Sequence, residues 1–204
     1  AGNFVQQNSD LLIIIGARMH VRQVGFNWKS FARDAKRIMI DVDPKEMNKP
    51  TLRIDFKIQA NLKYFLPAML ERLKAYRPSK SHGDYLNWSK ARLKKYPVIQ
   101  DYHYKDTGNG INPYALMDIV FKKLKEDDIT VTGDGTAVVV SFKTAIIKKN
   151  QRLFHNKGCA SMGYDLPAAI GAWFASKADR IICITGDGSL MFNLQELQTI
   201  IENK

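Results

Sequence analysis

Three short apolar runs, each stopped by a glycine, set the limits on what this chain can fold into. Leu11-Leu-Ile-Ile-Ile15 ends at Gly16, Ile129-Thr-Val-Thr132 at Gly133-Asp-Gly135, and Arg180-Ile-Ile-Cys-Ile-Thr185 at Gly186-Asp-Gly188. Aliphatic runs of this length suit strands, and Leu11 to Ile15 has the continuous pattern of a strand covered on both faces. Segments with helical spacing alternate with them. That alternation is what an α/β fold of parallel sheets flanked by helices requires.

The other elements follow from spacing and caps. Arg37 to Asp41 reads as a second strand, after a short amphipathic stretch from Trp28 to Arg33, and Thr51 to Phe56 as a third. Asn61 to Leu73 carries Leu62, Phe65, Leu66, Met69, Leu70 and Leu73 on one helical face. The pattern weakens from Tyr76 to Gly110, where loops flank a helix around Tyr85 to Tyr96, and this stretch is read as a connection between domains. Asn112 and Pro113 then open a helix running to about Lys125. Helices are expected over Ala137–Ile147 and Pro167–Ala175, with a short strand at Arg152–Phe154. A last helix is expected from Asn193, with Glu196 completing a capping box.

Composition narrows the function classes. With 45% hydrophobic residues in 204, the chain can bury one core or two small ones. The net charge of +11 is spread along amphipathic segments such as Lys90–Lys95 and Lys143–Lys149, so solvated helix faces are expected rather than a nucleic-acid partner. No apolar run approaches the ~18 residues of a membrane span, and no membrane partner is expected. Asn8, Ser9 and Asp10 precede the first apolar run, unlike a signal peptide, and a cytoplasmic location is expected. Cys159 and Cys183 lack metal-ligand spacing and read as reduced thiols; His82, His103 and His155 read as ordinary core or surface residues.

Chemistry concentrates at Gly186-Asp187-Gly188-Ser189. A strand's carboxyl end delivers an acid between two glycines just before a helix, at the edge where open α/β sheets bind ligands. Glycines there let backbone N–H groups cradle a phosphate. Asp187 is placed to hold a hard cation such as Mg²⁺, which takes one or two protein oxygens along with phosphate oxygens. The plain alternative is a tight turn with Asp187 as a helix cap.

The longer segment Ile184-Thr-Gly-Asp-Gly-Ser-Leu-Met-Phe-Asn-Leu-Gln-Glu-Leu197 resembles the first half of the thiamine-diphosphate motif, as found in the acetolactate synthase, pyruvate oxidase and pyruvate decarboxylase group. Upstream, Ala160-Ser-Met-Gly-Tyr-Asp-Leu-Pro-Ala-Ala-Ile-Gly-Ala172 is similar to that group's GxMGxxLPAAIGA segment. The resemblance implies that Asp187 is a Mg²⁺ ligand. The backbones of Gly186, Gly188 and Ser189 would lie at the diphosphate, and Met162 would prop thiamine into its bent form. Ala160, where the family usually has glycine, would accept from the cofactor's amino group through its carbonyl. Gly133-Asp-Gly135-Thr136 is a second candidate phosphate edge. There the synthases carry a Gln-His pair, and this chain has Thr136 and Ala137.

The front half resembles the family's middle domain. Gly16-Ala-Arg18, Arg22 and Asp41-Val-Asp-Pro44 follow signatures in which Arg18, Arg22 and Asp41 would hold FAD. Two departures weigh against flavin: His20-Val21 replaces a pair of acids, and Ile58-Gln59 replaces a Gly-Asp. The resemblance implies a Rossmann-like middle-domain portion over 1–76, a connecting segment over 77–110, and the first half of a thiamine-diphosphate-binding domain over 111–204. It implies a fragment of a homodimeric or homotetrameric enzyme acting on a 2-keto acid. The catalytic glutamate would lie in an N-terminal domain, and these residues alone are expected to be inactive. Acetolactate formation is the leading reading. A sibling lyase or carboligase with another acceptor, and a non-catalytic nucleotide-binding module, are the alternatives.

Overall fold

The glycine-stopped runs become strands in the computed structural model, which describes residues 2–108, 110–156 and 158–203. The chain divides into two units, Ala1–Pro97 and Val98–Lys204. Each contains a three-stranded parallel sheet flanked by helices, as the α/β reading requires.

In chain order the first unit holds α1 (Gly2–Gln7), β1 (Leu11–Ile15), α2 (Val21–Val24), β2 (Lys36–Asp41), α3 (Pro44–Met47), β3 (Phe56–Gln59), α4 (Leu62–Leu73) and α5 (Lys80–Lys95). The strand order is β1-β2-β3. Ile14 and Met39 project from the sheet into a core with Phe31, Met47, Leu52 and Ile54. Two elements depart from the sequence expectation. Leu11 and Ile13 are exposed, so β1, which lies at the sheet edge, is fully covered on one face only. The third strand begins at Phe56, where the expected one ended, and pairs Ile38↔Phe56 through Asp41↔Gln59. Leu52 and Ile54 instead plug the core from a loop. Helix α4 forms where expected, with Asn61 as its cap, yet Leu66, Leu70 and Leu73 stay exposed.

Arg37, read only as a strand residue, is a buried staple. Its guanidinium donates to the carbonyls of Phe31 (2.6 Å), Ala32 (2.8 Å) and Arg53 (3.2 Å). The stretch 77–110 is divided between the units. Helix α5 belongs to the first, with the Phe4 and Tyr96 rings stacked at 5.1 Å.

The second unit runs α6 (Pro113–Lys123), β4 (Ile129–Thr132), α7 (Thr136–Thr144), β5 (Arg152–His155), α8 (Asp165–Ala175), β6 (Ile181–Ile184), α9 (Asp187–Met191) and α10 (Glu196–Glu202). The order β5-β4-β6 puts β4 in the middle, and all four of its residues are buried. Asn112 caps α6 through Tyr114 N–H (2.9 Å), with Pro113 in the first turn as the sequence indicates. Helix α7 ends at Thr144, short of Ile147, where the Thr144 hydroxyl donates to the Val140 carbonyl (2.9 Å). The helix expected from Asn193 begins only at Glu196, as α10, and the expected capping box does not form. Asn193 donates its side-chain amide to the Gly163 carbonyl (2.6 Å), while Glu196 accepts from Thr199 (2.8 Å). No described helix is long and apolar enough to cross a membrane.

Asp128 ties the entries of β4 and β6 together, accepting from Arg180 Nε (3.0 Å) and from Lys125 N–H (2.6 Å). The Arg180 hydrogen bond holds its carboxyl below the ordinary 3.8, with burial opposing and the Lys125 N–H assisting. A depressed folded value means that the stabilisation is complete above pH 3.8 and is lost as pH falls through the folded value. Asp128→Asn should therefore flatten the acid limb of a stability–pH curve below that point. An unchanged limb, followed by urea unfolding across pH, would contradict the assignment.

Candidate functional site

Parallel pairing of β4 with β6, in register from Ile129↔Ile181 to Thr132↔Ile184, makes the two glycine-flanked acids emerge side by side. The Gly133 N–H donates to the Ile184 carbonyl (2.9 Å), so the alignment continues one residue past β4. A cleft of about 480 Å³ opens there. Its walls include Asp134 to Ala137, Thr185 to Ser189 and Met162, with Leu116 and Met117 of α6.

The cleft is fixed by close packing behind it. Asp165 is fully buried, accepts from the Thr185 hydroxyl and from Leu166 N–H (3.0 Å), and lies against Gly133. A Cβ on Gly133 would stand 2.1 Å from Asp165 Oδ2, so only glycine fits. The loop bearing Met162 is bolted to α9 and to Asn193 beyond it. Gly163 N–H donates to the Ser189 hydroxyl (2.8 Å), and Asn193 holds the Gly163 carbonyl. The Met162 methyl lies 3.1 Å from where a Gly188 Cβ would be.

Two helices begin at this cleft, α7 capped by Gly135 and α9 capped by Gly186. Their first backbone bonds are Val139 N–H to Gly135 O and Leu190 N–H to Gly186 O. The N–H groups of Thr136 to Val138 and Asp187 to Ser189 precede those bonds. They are the unpaired donors that anions use at helix starts. Asp187 is the first residue inside α9 and not its cap, so the capping alternative does not hold. Its carboxylate is exposed and takes no hydrogen bond among the described residues. An exposed, unpaired carboxylate beside N–H groups free to meet a phosphate suits Mg²⁺, which keeps several waters and phosphate oxygens. No cluster of three or more acidic, His or Cys ligands occurs among the described residues.

Met162 is 49% exposed, which excludes the core-methionine alternative. Ala160 has φ of 55°, in the left-handed region, with its N–H on the Asn156 carbonyl (2.7 Å). Glycine carries no steric cost there, so Ala160→Gly should stabilise the second unit by about 1 kcal/mol. Urea unfolding checks this, and a loss of stability would contradict it.

The structure also places the other predicted residues. In the first unit, Arg18 pairs with Glu46 (3.2 Å), while its carbonyl accepts from Lys49 (2.9 Å). Asp41 is buried and closes a turn by accepting from Asp43 N–H (2.9 Å). The backbone N–H of Arg22 is capped by His20 Nδ1 (3.1 Å). These residues follow β1 and end β2, and the contacts they make hold the unit's own loops. His103 is buried and stacked on Tyr114 at 5.0 Å, outside the cleft. Burial, and secondarily Asp165, push the Cys183 thiol up to about 11, which keeps it protonated. Asp165 and Asn193 are site residues that the sequence reading missed, whereas Asp134 lay within its Gly133–Thr136 phosphate edge with no role of its own. Only Asp165 left a local signal, an acid in a helix's first turn two residues before proline.

Comparison with known proteins agrees with this geometry. Residues 132–204 match the C-terminal TPP binding domain of thiamine pyrophosphate enzymes, and residues 1–69 match their central domain. The chain is 32% identical over 202 residues to the acetolactate synthase isozyme 2 large subunit of Escherichia coli K12, covering 98% of this chain and 34% of that protein. It is 33% identical over 212 residues to a probable acetolactate synthase large subunit of Methanococcus aeolicus, covering 98% and 35%. A probable chloroplastic acetolactate synthase 2 of rice is 30% identical over 201 residues, covering 97% and 30%. The chain thus spans about a third of the length of these relatives.

Proposed function

The chain belongs to the thiamine pyrophosphate enzymes, and from that premise we propose that the cleft at the ends of β4 and β6 grips the diphosphate of thiamine diphosphate together with Mg²⁺. The observation that carries this reading is the convergence of two helix starts and the exposed, unpaired carboxylate of Asp187 on a single cleft, with Met162 lying over Gly188. Asp187 would hold the metal. The backbones of Gly186, Gly188 and Ser189, with Gly135 and Thr136 opposite, would meet the phosphate oxygens. Met162 would support the bent cofactor, and the Ala160 carbonyl would accept from its amino group. Thiamine supplies the electron sink for breaking or making a bond beside a carbonyl, while the protein binds, orients and excludes water.

The reaction proposed is decarboxylation of a 2-keto acid such as pyruvate, followed by ligation to a second carbonyl. Acetolactate formation is the first candidate, in a homodimer or homotetramer. Thr136 and Ala137 stand where the synthases have Gln and His, which favours as second reading a sibling lyase or carboligase with another acceptor. For the first unit a scaffold role is favoured over FAD binding, because Arg18 and Asp41 are committed to Glu46 and to the Asp43 turn.

The test is acetolactate release from pyruvate by the complete gene product, with Asp187→Ala as control. Product that falls at least about a hundredfold in the variant supports the synthase reading. Undiminished product in the variant would refute the assigned metal role. No product, with cofactor binding that still depends on Asp187, would move the function to the sibling reaction.

A further inference from the structure

The exposed side chain of Asp187 makes no hydrogen bond among the described residues, so its place is set by the backbone that carries it. That backbone is gripped on both sides by the segment that opens α8. Two residues before Asp187, the Thr185 hydroxyl donates to the Asp165 carboxylate. Two residues after it, the Ser189 hydroxyl accepts from Gly163 N–H (2.8 Å). Asn193 completes the grip by holding the Gly163 carbonyl (2.6 Å).

Asp165 is the member of this bracket that reaches both edges of the cleft. It is fully buried behind the cleft wall, and its carboxylate also lies against Gly133, where the opposite edge begins. Its own needs are met without a ligand, by Leu166 N–H (3.0 Å) and by its place in the first turn of α8. The Thr185 hydroxyl has a single proton and a second acceptor in reach, the Gly186 carbonyl at 3.1 Å. A carboxylate is the stronger acceptor, so it fixes Thr185, which lines the cleft. Joining two loops through a buried carboxylate is an expensive device where stability alone is at stake. What the joint holds in place is the residue that carries Asp187.

Resting on the thiamine diphosphate reading of this cleft, we propose that Asp165 is a positioning residue for the metal-bound diphosphate. Seated against Gly133, it acts through the Thr185 hydroxyl to hold the edge bearing Asp187 in register with the second phosphate edge. The carboxylate and the N–H groups of the two helix starts are then in place before the ligand arrives, which lowers the ordering cost of binding.

The experiment titrates thiamine diphosphate and, separately, inorganic pyrophosphate into the complete gene product with Mg²⁺, below the melting temperature of each variant. Thr185→Val should weaken both ligands alike by about tenfold, because apparent affinity falls with the fraction of molecules whose edge is in place. Chelating Mg²⁺ should weaken this variant further, as it does not in Asp187→Ala. Thr185→Ser, which keeps the hydroxyl, should bind both ligands within about twofold of wild type. Thr185→Val should also melt lower than wild type, since it strands the Asp165 carboxylate without its donor. The double variant Asp165→Ala/Thr185→Val removes donor and acceptor together. It should melt no lower than Thr185→Val and still bind within about threefold of that variant, so that stability and affinity separate. A merely structural role would move the two together. The double variant carries the test even where Thr185→Val alone does not fold. Wild-type affinity in Thr185→Val or in the double variant would overturn the proposal. So would a Thr185→Ser protein as weak as Thr185→Val, losses that multiply in the double variant, or weakening of thiamine diphosphate without weakening of pyrophosphate. Wild-type protein that binds no thiamine diphosphate would instead sink the cofactor reading and this inference with it.

Discussion

Alanine at position 133 is expected to cost the second unit about 3 kcal/mol, near the upper end for overpacked sites. Gly133 has no unusual backbone angle, so the cost is purely steric: its Cβ would stand 2.1 Å from Asp165 Oδ2 and 3.1 Å from Asp165 Cγ. Asp165 cannot swing away cheaply. It is fully buried, and its carboxylate serves the Thr185 hydroxyl and the Leu166 N–H. A double variant separates this clash from a general intolerance of the site. Asp165→Ala removes the obstructing carboxylate at its own cost, so adding Gly133→Ala to that background should cost less than about 1 kcal/mol more. Additive losses in urea unfolding of the two single variants and the double would show that the two residues do not oppose each other.

Asp187→Ala is expected to weaken thiamine diphosphate binding at least about a hundredfold, or about 2.7 kcal/mol. The carboxylate is exposed, begins α9 and supports nothing else among the described residues, so its removal should leave folding nearly unchanged. On the proposed reading, the variant loses the exposed charge that would bring Mg²⁺ to the N–H groups of the two helix starts. Chelating the metal from wild-type protein should reproduce the variant's weak binding, and chelation should have little further effect on the variant. A variant that unfolds, or one that binds as wild type does, would contradict this account of Asp187.

The features legible in the sequence are those whose signal is local. An aliphatic run stopped by glycine locates β1, β4 and β6, and the Asn112-Pro113 pair starts α6 where expected. The features that were misread depend on partners distant in sequence. Thr51 to Phe56 looks like a strand because Leu52 and Ile54 alternate with polar residues, but they fill the core from a loop. Asn193 and Glu196 have the spacing of a capping box, but Gly163, thirty residues earlier, takes the Asn193 amide. The run Leu11 to Ile15 gives no sign of which face is covered, since an aliphatic side chain reads the same on an open face. At the site, Asp187, Gly188 and Met162 were legible because the motif is contiguous. Asp165 and Asn193 were not, because each acts through a residue distant in sequence, Gly133 for one and Gly163 for the other.

If the cleft at the ends of β4 and β6 grips a metal-bound diphosphate as proposed, cofactor binding depends on Mg²⁺ and on Asp187. Calorimetric titration of thiamine diphosphate into the complete gene product, with and without Mg²⁺ and in parallel with Asp187→Ala, tests it most directly. The expected result is saturable binding that requires Mg²⁺, is displaced by inorganic pyrophosphate, and is lost in the variant. Binding that is indifferent to Mg²⁺, to pyrophosphate and to Asp187 would place the cofactor elsewhere and contradict the account.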